Sequence, residues 1–217
     1  AVELFDLQQV DVLKGPQGTL FGRGAQMGAV NYISKKPSSD FNGYVTAGIG
    51  NFNQKELTGA INIPVIKNKL LVRIAGIYDY QDGYIVNTFG GDLNGKNTMA
   101  GRFSVSYLPA SRNKIDFVVN YQKDDNPGLG FMSMNYPNTN GSKNPYGYVA
   151  SLEQSNKLAN QRDIVDATLT MKHYFTINNY LTSISSYRKI GTYSRWDGDG
   201  TAAAAIDMSE DDGARQF

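Results

Sequence analysis

The side chains that could do chemistry in this chain are few, and their spacing suits turns better than catalysis. His173 is the single imidazole and cysteine is absent, which removes disulfides, thiolate metal sites and cysteine nucleophiles together. A lone histidine near a strand end, with no serine nucleophile motif close in sequence, does not make a nucleophile-base-acid set. No catalytic residue, metal ligand or cofactor is assigned. Asp197-Gly198-Asp199-Gly200 and Ser209-Glu210-Asp211-Asp212 place oxygen ligands as a hard cation would want them. Their spacing matches no EF-hand, so a solvated acidic loop is the default reading. Gly22-Arg23-Gly24 followed by Gly28 reads G-x-G-x-x-x-G with no helical pattern behind it, which is not a dinucleotide fingerprint. Lys14 precedes its glycines instead of ending them, which rules out a phosphate loop.

Contact chemistry is richer than reaction chemistry. The stretch 126–161 sets Phe131, Met132, Met134, Tyr136, Tyr146 and Tyr148 among glycine, proline and asparagine. Aromatics supply contact area while turns fix their position, so Tyr136, Tyr146 and Tyr148 are candidate ligand contacts. Packing against neighbouring loops is the alternative for the same residues.

Composition narrows the class. The 217 residues include 23 glycines and 14 tyrosines, with little sustained apolar sequence. Tyrosine suits a membrane-water boundary, where the ring lies among lipid and the hydroxyl stays wet. No apolar run is long enough for a transmembrane helix, which leaves open a barrel whose strands need only about ten alternating residues each. A net charge of +1 with scattered lysine and arginine gives no footprint for nucleic acid.

From Phe41 onward polar and apolar residues exchange faces at a period of two. Val45, Ala47 and Ile49 share a face of the first strand, and Leu57, Gly59, Ile61 and Ile63 a face of the second. A tight turn at Asn51-Phe52-Asn53 joins them. The third strand, about 69–82, sets Leu70, Val72, Ile74, Tyr78 and Tyr80 against Arg73, Asp79 and Gln81. The fourth sets Met99, Phe103, Val105 and Tyr107 against Arg102, Ser104 and Ser106. The fifth sets Ile115, Phe117, Val119 and Tyr121 against Asp116, Asn120 and Gln122, and the sixth Val165, Ala167, Leu169 and Met171 against Asp166, Thr168, Thr170 and Lys172. In the seventh, about 179–193, Leu181 and Tyr187 oppose Ile184, and its facing stays open. Residues 214–217 read as the opening of an eighth strand.

A soluble secreted sandwich with its apolar faces in contact accounts for this alternation. Loop lengths favour a barrel instead. Connections at 64–68, 109–113 and 176–178 are short, while those at 83–97, 126–161 and from Ser194 onward are long. Outer-membrane barrels have this asymmetry of brief periplasmic turns and extended external loops. Tyr78, Tyr80, Tyr107, Tyr121, Tyr174 and Tyr180 fall near strand ends, as an aromatic girdle requires. In that geometry the apolar sets face outer-membrane lipid. A passive porin or adhesin barrel also fits the hairpins, but leaves the leader before them without a purpose.

That leader, residues 10–37, reads VDVLKGPQGTLFGRGAQMGAVNYISKKP. Val10-Asp11-Val12-Leu13 is a strand signal, Gly15-Pro16-Gln17-Gly18 a chain reversal, and Ala29-Val30-Asn31-Tyr32-Ile33 a second strand. Lys14-Gly15-Pro16, Gly22-Arg23-Gly24 and Gly28-Ala29-Val30-Asn31 fall in one order within this window. The segment resembles the end of the plug domain of TonB-dependent outer-membrane receptors. The resemblance implies that Lys14, Gly15, Pro16, Gly18, Gly22, Arg23, Gly24, Gly28 and Asn31 form a plug motif that closes the plug and fixes its seat. Arg23 is expected to pair with a carboxylate of plug or wall, a solvated surface arginine being the other reading.

The implied fold is all-β: the last part of a plug over residues 1–38, then about seven strands of a 22-stranded transmembrane antiparallel barrel over 39–217. The implied activity is import of an extracellular small ligand, such as siderophore-iron, cobalamin, haem or an oligosaccharide, across the bacterial outer membrane. The TonB complex would supply energy through a segment not in this chain, and a surface lipoprotein is a further candidate partner. The first six residues carry no basic start or apolar run, so the signal peptide and coupling box are expected upstream.

Overall fold

The computed structural model describes residues 3–21, 24–130, 147–152, 158–203 and 205–217. In chain order they form β1 (Leu7–Lys14), the single helical turn α1 (Gly18–Phe21), β2 (Gly28–Ser34), β3 (Asn42–Ile49), β4 (Lys55–Ile66), β5 (Leu70–Gln81), β6 (Ile85–Asn87) and β7 (Asp92–Leu93). Then follow β8 (Lys96–Ala110), β9 (Asn113–Pro127), β10 (Val149–Ala150), β11 (Ala159–Tyr174), β12 (Tyr180–Asp197) and β13 (Asp207–Gln216). β1 and β2 pair as a hairpin. A small sheet orders β10-β6-β7, and an eight-stranded sheet runs β13-β12-β11-β9-β8-β5-β4-β3 with β3 and β13 at its open edges. No helix among the described residues is long and apolar enough to cross a membrane.

Every neighbour pair in the large sheet is antiparallel. Phe52 and Asn53 both take positive φ, 56° and 54°, and Gln54 N donates to Asn51 O at 3.2 Å. That is the primed turn whose twist matches the flanking strands. Pro64 lacks an N–H for the ladder, and the pairing slips beside it, between Pro64 and Ile66. β4, β5, β8, β9, β11 and β12, each of 12 to 18 residues, exceed what a tilted strand needs to cross hydrocarbon, so several project beyond it.

Burial separates the two faces and decides between wall and sandwich. On β5, Ile74 and Tyr78 are 46% and 42% exposed while Arg73 and Asp79 are 5% and 7% exposed. Leu57, Ile61, Met99, Phe103, Phe117, Tyr121, Val165 and Met171 are exposed on the same side, whereas Ser104, Ser106, Gln122 and Asp124 are buried on the other. A sandwich would bury the apolar set. This sheet turns it outward, as a membrane wall does.

The eighth strand begins at Asp207, earlier than the expected opening near residue 214, because β12 continues to Asp197 and a nine-residue loop then returns the chain. Ser209 to Asp212 therefore lie in a strand, not in a loop. Register also fixes β12: directly opposed residues share a face. Met171 pairs with Ser183 and Asp166 with Arg188, so Leu181 and Tyr187 face outward and Ile184 inward. The same rule corrects the girdle. Tyr174 pairs with Tyr180 at the lumenal rim, where the Lys172 ammonium lies 4.7 and 3.8 Å from their ring centroids.

Candidate functional site

The polar face of the sheet is occupied by the amino-terminal segment. Glu3 to Asp6 cross the strands instead of following them, touching β9, β8, β5, β4 and β3. Glu3 N donates to Gln122 Oε1 at 2.8 Å, and Lys96 Nζ donates to Glu3 Oε1 at 3.0 Å and to Asp79 Oδ2 at 2.6 Å. The Phe5 ring packs with Ala60, Ala75, Ile77 and Ala100, small or apolar residues on an otherwise polar face. The Arg102 guanidinium lies 4.8 Å from that ring centroid, and its Nη1 donates to Phe5 O at 3.2 Å.

Asp6 is the centre of the seat. Arg73 donates Nε to its Oδ2 at 2.7 Å and Nη2 to its Oδ1 at 2.5 Å, the two-pronged geometry that suits a guanidinium. Both side chains are buried, and Tyr44 Oη donates to Asp6 Oδ1 at 3.4 Å. Asp6 has a φ of 50°, a left-handed conformation that aspartate tolerates better than most residues. Lys35 N donates to Asp6 O at 3.0 Å, which ties the exit of the hairpin to the same residue. Further along, Ser38 N donates to Asn62 Oδ1 at 2.9 Å, and Asn62 Nδ2 returns bonds to Ser38 O at 2.9 Å and Asp40 O at 2.6 Å.

A second buried network lies beside the first. Asp124 accepts from Thr98 Oγ1 at 2.9 Å, from Gln122 Nε2 at 2.9 Å and from Arg162 Nε at 2.8 Å. Asn120 links Arg102 Nε, 2.7 Å away, to Asp166 Oδ1, 2.8 Å away. Among the described residues, Asp79 Oδ1 is buried without a hydrogen-bond partner, although its sister oxygen holds Lys96.

The proposed motif residues cluster at the far end of the leader. Lys14 pairs with Gly28 and Asp11 with Asn31 in the β1–β2 ladder, and Asn31 Nδ2 donates to Asp11 Oδ2 at 3.5 Å. Gly15 takes a φ of 84° and Gly28 one of 149°; a side chain at Gly28 would meet Leu13 O at 2.5 Å. Gly15 N donates to Met27 O at 3.2 Å and Gln17 N to Ala25 O at 2.8 Å. The chain therefore does not reverse tightly at residues 15–18, as the Gly-Pro signal suggested. Pro16 leads into α1, which starts at Gly18, and Gly24 lies exposed on the return. Gly22 and Arg23 fall outside the described residues, as do Phe131, Met132, Met134, Tyr136 and Tyr146.

At the opposite end of the wall the long loops pack on one another. Leu93, Ala150, Leu152 and Leu158 form a buried cluster with Ile85, and Asn87 exchanges bonds with Leu152, donating to its O at 2.8 Å and accepting from its N at 2.9 Å. Tyr148, 68% exposed, stands edge-on to Tyr84 at 6.4 Å, and Tyr84 lies 6.1 Å from Phe52. These rings make an open aromatic row across three loops. A cavity of about 410 Å³ opens among Leu129, Ala159, Asn160, Ser194, Arg195 and Trp196. The acidic loop is self-satisfied. Asp197 accepts from Asp199 N at 3.0 Å and Gly200 N at 2.8 Å, while Asp199 accepts from Thr201, Ala205 and Ile206 backbone N–H groups. Burial raises the Asp199 carboxyl, and the hydrogen bonds from Thr201, Ile206 and Ala205 outweigh it and hold the group below its ordinary value. No metal-ligand cluster is present among the described residues.

Sequence reasoning missed Asp6, Glu3, Lys96 and the pairing role of Arg73. Alternation marked Arg73 and Asp79 as lumenal, but nothing local pointed to a partner 67 positions away. A buried, in-facing arginine must find a carboxylate, and that was the available signal.

No family model matches the chain. It is 30% identical over 108 residues to the pesticin receptor of Yersinia pestis, covering 49% of this chain and 16% of that protein. It is 46% identical over 48 residues to the catecholate siderophore receptor Fiu of Escherichia coli K12, covering 22% of this chain and 6% of Fiu. Among solved structures, the ferric yersiniabactin uptake receptor FyuA of Yersinia pestis superposes on 89% of this chain and 30% of its own, with a TM-score of 0.76 at 22% identity. The closed form of Fiu covers 97% of this chain and 31% of its own, with a TM-score of 0.67 at 19% identity. The fold is that of a TonB-dependent outer-membrane receptor barrel wall. The likeness is to outer-membrane receptors, in sequence over part of the chain and in fold over most of it. The chain spans a sixth or less of the curated relatives' length and about a third of the solved receptors'.

Proposed function

We propose that this chain belongs to an active-uptake receptor that takes an iron-siderophore complex from outside and releases it to the periplasm when the leader moves off the wall. The observation that carries this reading is the buried docking of Glu3 to Asp6 across the lumenal face, centred on Asp6 and Arg73. A passive pore has no use for such a stopper. The named relatives support the cargo: Fiu is described as a catecholate siderophore receptor and FyuA as a ferric yersiniabactin uptake receptor.

In this reading residues 1–38 belong to the plug and 39–217 to the barrel, with Asn62 holding the joint through Ser38 and Asp40. Lys14, Gly15, Pro16, Gly18, Gly22, Arg23, Gly24, Gly28 and Asn31 are the motif that would close the plug's last hairpin. Tyr148, Tyr136 and Tyr146, from one stretch of sequence, are the proposed contacts for the small ligand. Energy would come from the TonB complex, through a segment outside this chain.

The test uses the complete receptor in its host. Uptake of radioactive iron is measured with catecholate and yersiniabactin-type chelates, in cells with and without the receptor and with and without TonB. Accumulation that needs both is the expected result. Uptake that persists without TonB would leave a passive pore, and equal uptake without the receptor would end the transport reading.

A further inference from the structure

Register sets one row of lumenal side chains across the wall: Tyr44 of β3, Ala60 of β4, Ala75 of β5, Arg102 of β8, Asn120 of β9 and Asp166 of β11. Directly opposed residues share a face. At about 4.8 Å per strand, Tyr44 and Arg102 stand roughly 14 Å apart along this row, and the two alanines between them put only methyl groups into the gap. Arg73 borders the gap from the next row, between Asn62 and Ser104. The result is a recess with an apolar floor, a phenol at one end, a guanidinium at the other and a second guanidinium along its side.

A ring and an anion, both from the leader, fill this recess. The Phe5 ring packs on Ala60 and Ala75 with the Arg102 guanidinium 4.8 Å from its centroid. The Asp6 carboxylate takes both prongs of Arg73 and the Tyr44 hydroxyl, and Phe5 O accepts from Arg102 Nη1 at 3.2 Å. The wall itself offers the two guanidiniums only amide oxygens, Asn42 Oδ1 at 3.5 Å from Arg73 Nη1 and Asn120 Oδ1 at 2.7 Å from Arg102 Nε. β5 and β8 are paired on both sides, and no residue opposite or diagonal to Arg73 or Arg102 on those neighbouring strands is a carboxylate. When the leader lifts, ring, carboxylate and carbonyl leave together. The wall then keeps two cations and a phenol around an apolar floor, with no counter-charge beside them.

We propose that the vacated recess is a transit site for an aromatic group carrying ionised oxygens: the phenolate, catecholate or aryl-carboxylate arm of an iron chelate. The ring lies on Ala60 and Ala75 against the Arg102 guanidinium, as that of Phe5 does, and the oxygens take Arg73 and Tyr44 in place of Asp6. Phe5 and Asp6 thus stand in for the ligand while the leader is seated. Leader and ligand exclude one another, so occupancy favours the lifted state. This inference rests on the uptake reading and narrows its cargo to aryl-bearing chelates.

The experiment titrates the complete receptor in detergent with salicylate, a ring with anionic oxygen. Parallel titrations use acetate, an anion without a ring, and benzyl alcohol, a ring without a charge, all at equal ionic strength. Hydrogen exchange at the Lys35 amide, which donates to Asp6 O at 3.0 Å, reads lifting of the leader. A ligand of the lifted state alone raises that rate about tenfold at ten times its dissociation constant, and salicylate is expected to do so. Acetate and benzyl alcohol at the same concentration leave the rate near its starting value. Each variant is compared with itself without ligand: Arg102→Gln loses the rise, and Tyr44→Phe lowers it about threefold. No rise with salicylate, an equal rise with acetate or benzyl alcohol, or a full rise in Arg102→Gln overturns the proposal. Heat-dependent gel mobility checks folding; should Arg102→Gln fail to fold, an undiminished rise in Tyr44→Phe overturns it instead. Iron uptake that needs neither receptor nor TonB refutes the transport reading beneath, and does so without altering the exchange result.

Discussion

The Asp6 carboxylate and the Arg73 guanidinium form a buried two-pronged pair, 2.7 and 2.5 Å, that joins the leader to the inner face of the wall. Desolvating two charges is costly, and the pair is favourable only because both prongs are made and Tyr44 adds a third bond. Removing one partner leaves the other buried and uncompensated. Asp6→Ala is therefore expected to weaken the seat by about 3 to 5 kcal/mol. Hydrogen exchange at the Lys35 amide, which donates to Asp6 O, reports this in the complete receptor. An unchanged Lys35 rate in the variant would mean that the leader is held elsewhere.

Gly28 closes the β1–β2 hairpin where backbones approach most nearly. Gly28→Ala would set a methyl 2.5 Å from Leu13 O at a φ of 149°, so a loss of about 1 to 3 kcal/mol is expected. Gly18→Ala, with open space around it and a helical position, should be close to neutral. Amide exchange of Val12 and Val30 in the two variants gives the comparison, and equal effects would contradict the strained assignment.

Leu169 and Thr168 are sequence neighbours on opposite faces of β11. Leu169→Lys places a charge in hydrocarbon and is expected to lower folding free energy in bilayers by about 2 to 4 kcal/mol, whereas Thr168→Lys points into the lumen and costs far less. Folded fraction by heat-dependent gel mobility separates them. A reversed ranking would invert the wall.

Asp199 gives the loop 198–206 a dependence on pH. Its folded pKa lies below the ordinary value of 3.8 because its hydrogen bonds from Thr201, Ile206 and Ala205 outweigh burial. A depressed carboxyl stabilises the fold fully above the unfolded pKa, and that stability is lost as pH falls through the folded one. Proteolytic resistance of this loop should thus hold from neutral pH down to about 4 and decline below it. Asp199→Ala should be cleaved faster already at neutral pH; cleavage at the wild-type rate would show that the carboxylate does not pin the loop.

Much of the wall was legible locally. Period-two alternation in Leu70 to Gln81 or Met99 to Tyr107 states which side chains share a face, because a strand allows only two directions, and Asn51-Phe52-Asn53 announced its turn. Gly213 and Arg215 carry no pattern within their own strand. In register with Gly191 and Lys189 they form a patterned outer surface, which no reading of one strand alone could reveal.

Sequence by itself determined the two faces, the hairpin order and the plug-like leader, since these depend on neighbours along the chain. Tertiary structure alone decided that Asp6 meets Arg73, that Glu3 and Asp79 share Lys96, and that Tyr174 and Tyr180 belong to the lumen. Those pairings join positions brought together only when the leader crosses the strands or when register aligns two faces. The energy of a buried charge depends on who stands opposite it, and the one-dimensional pattern does not carry that information.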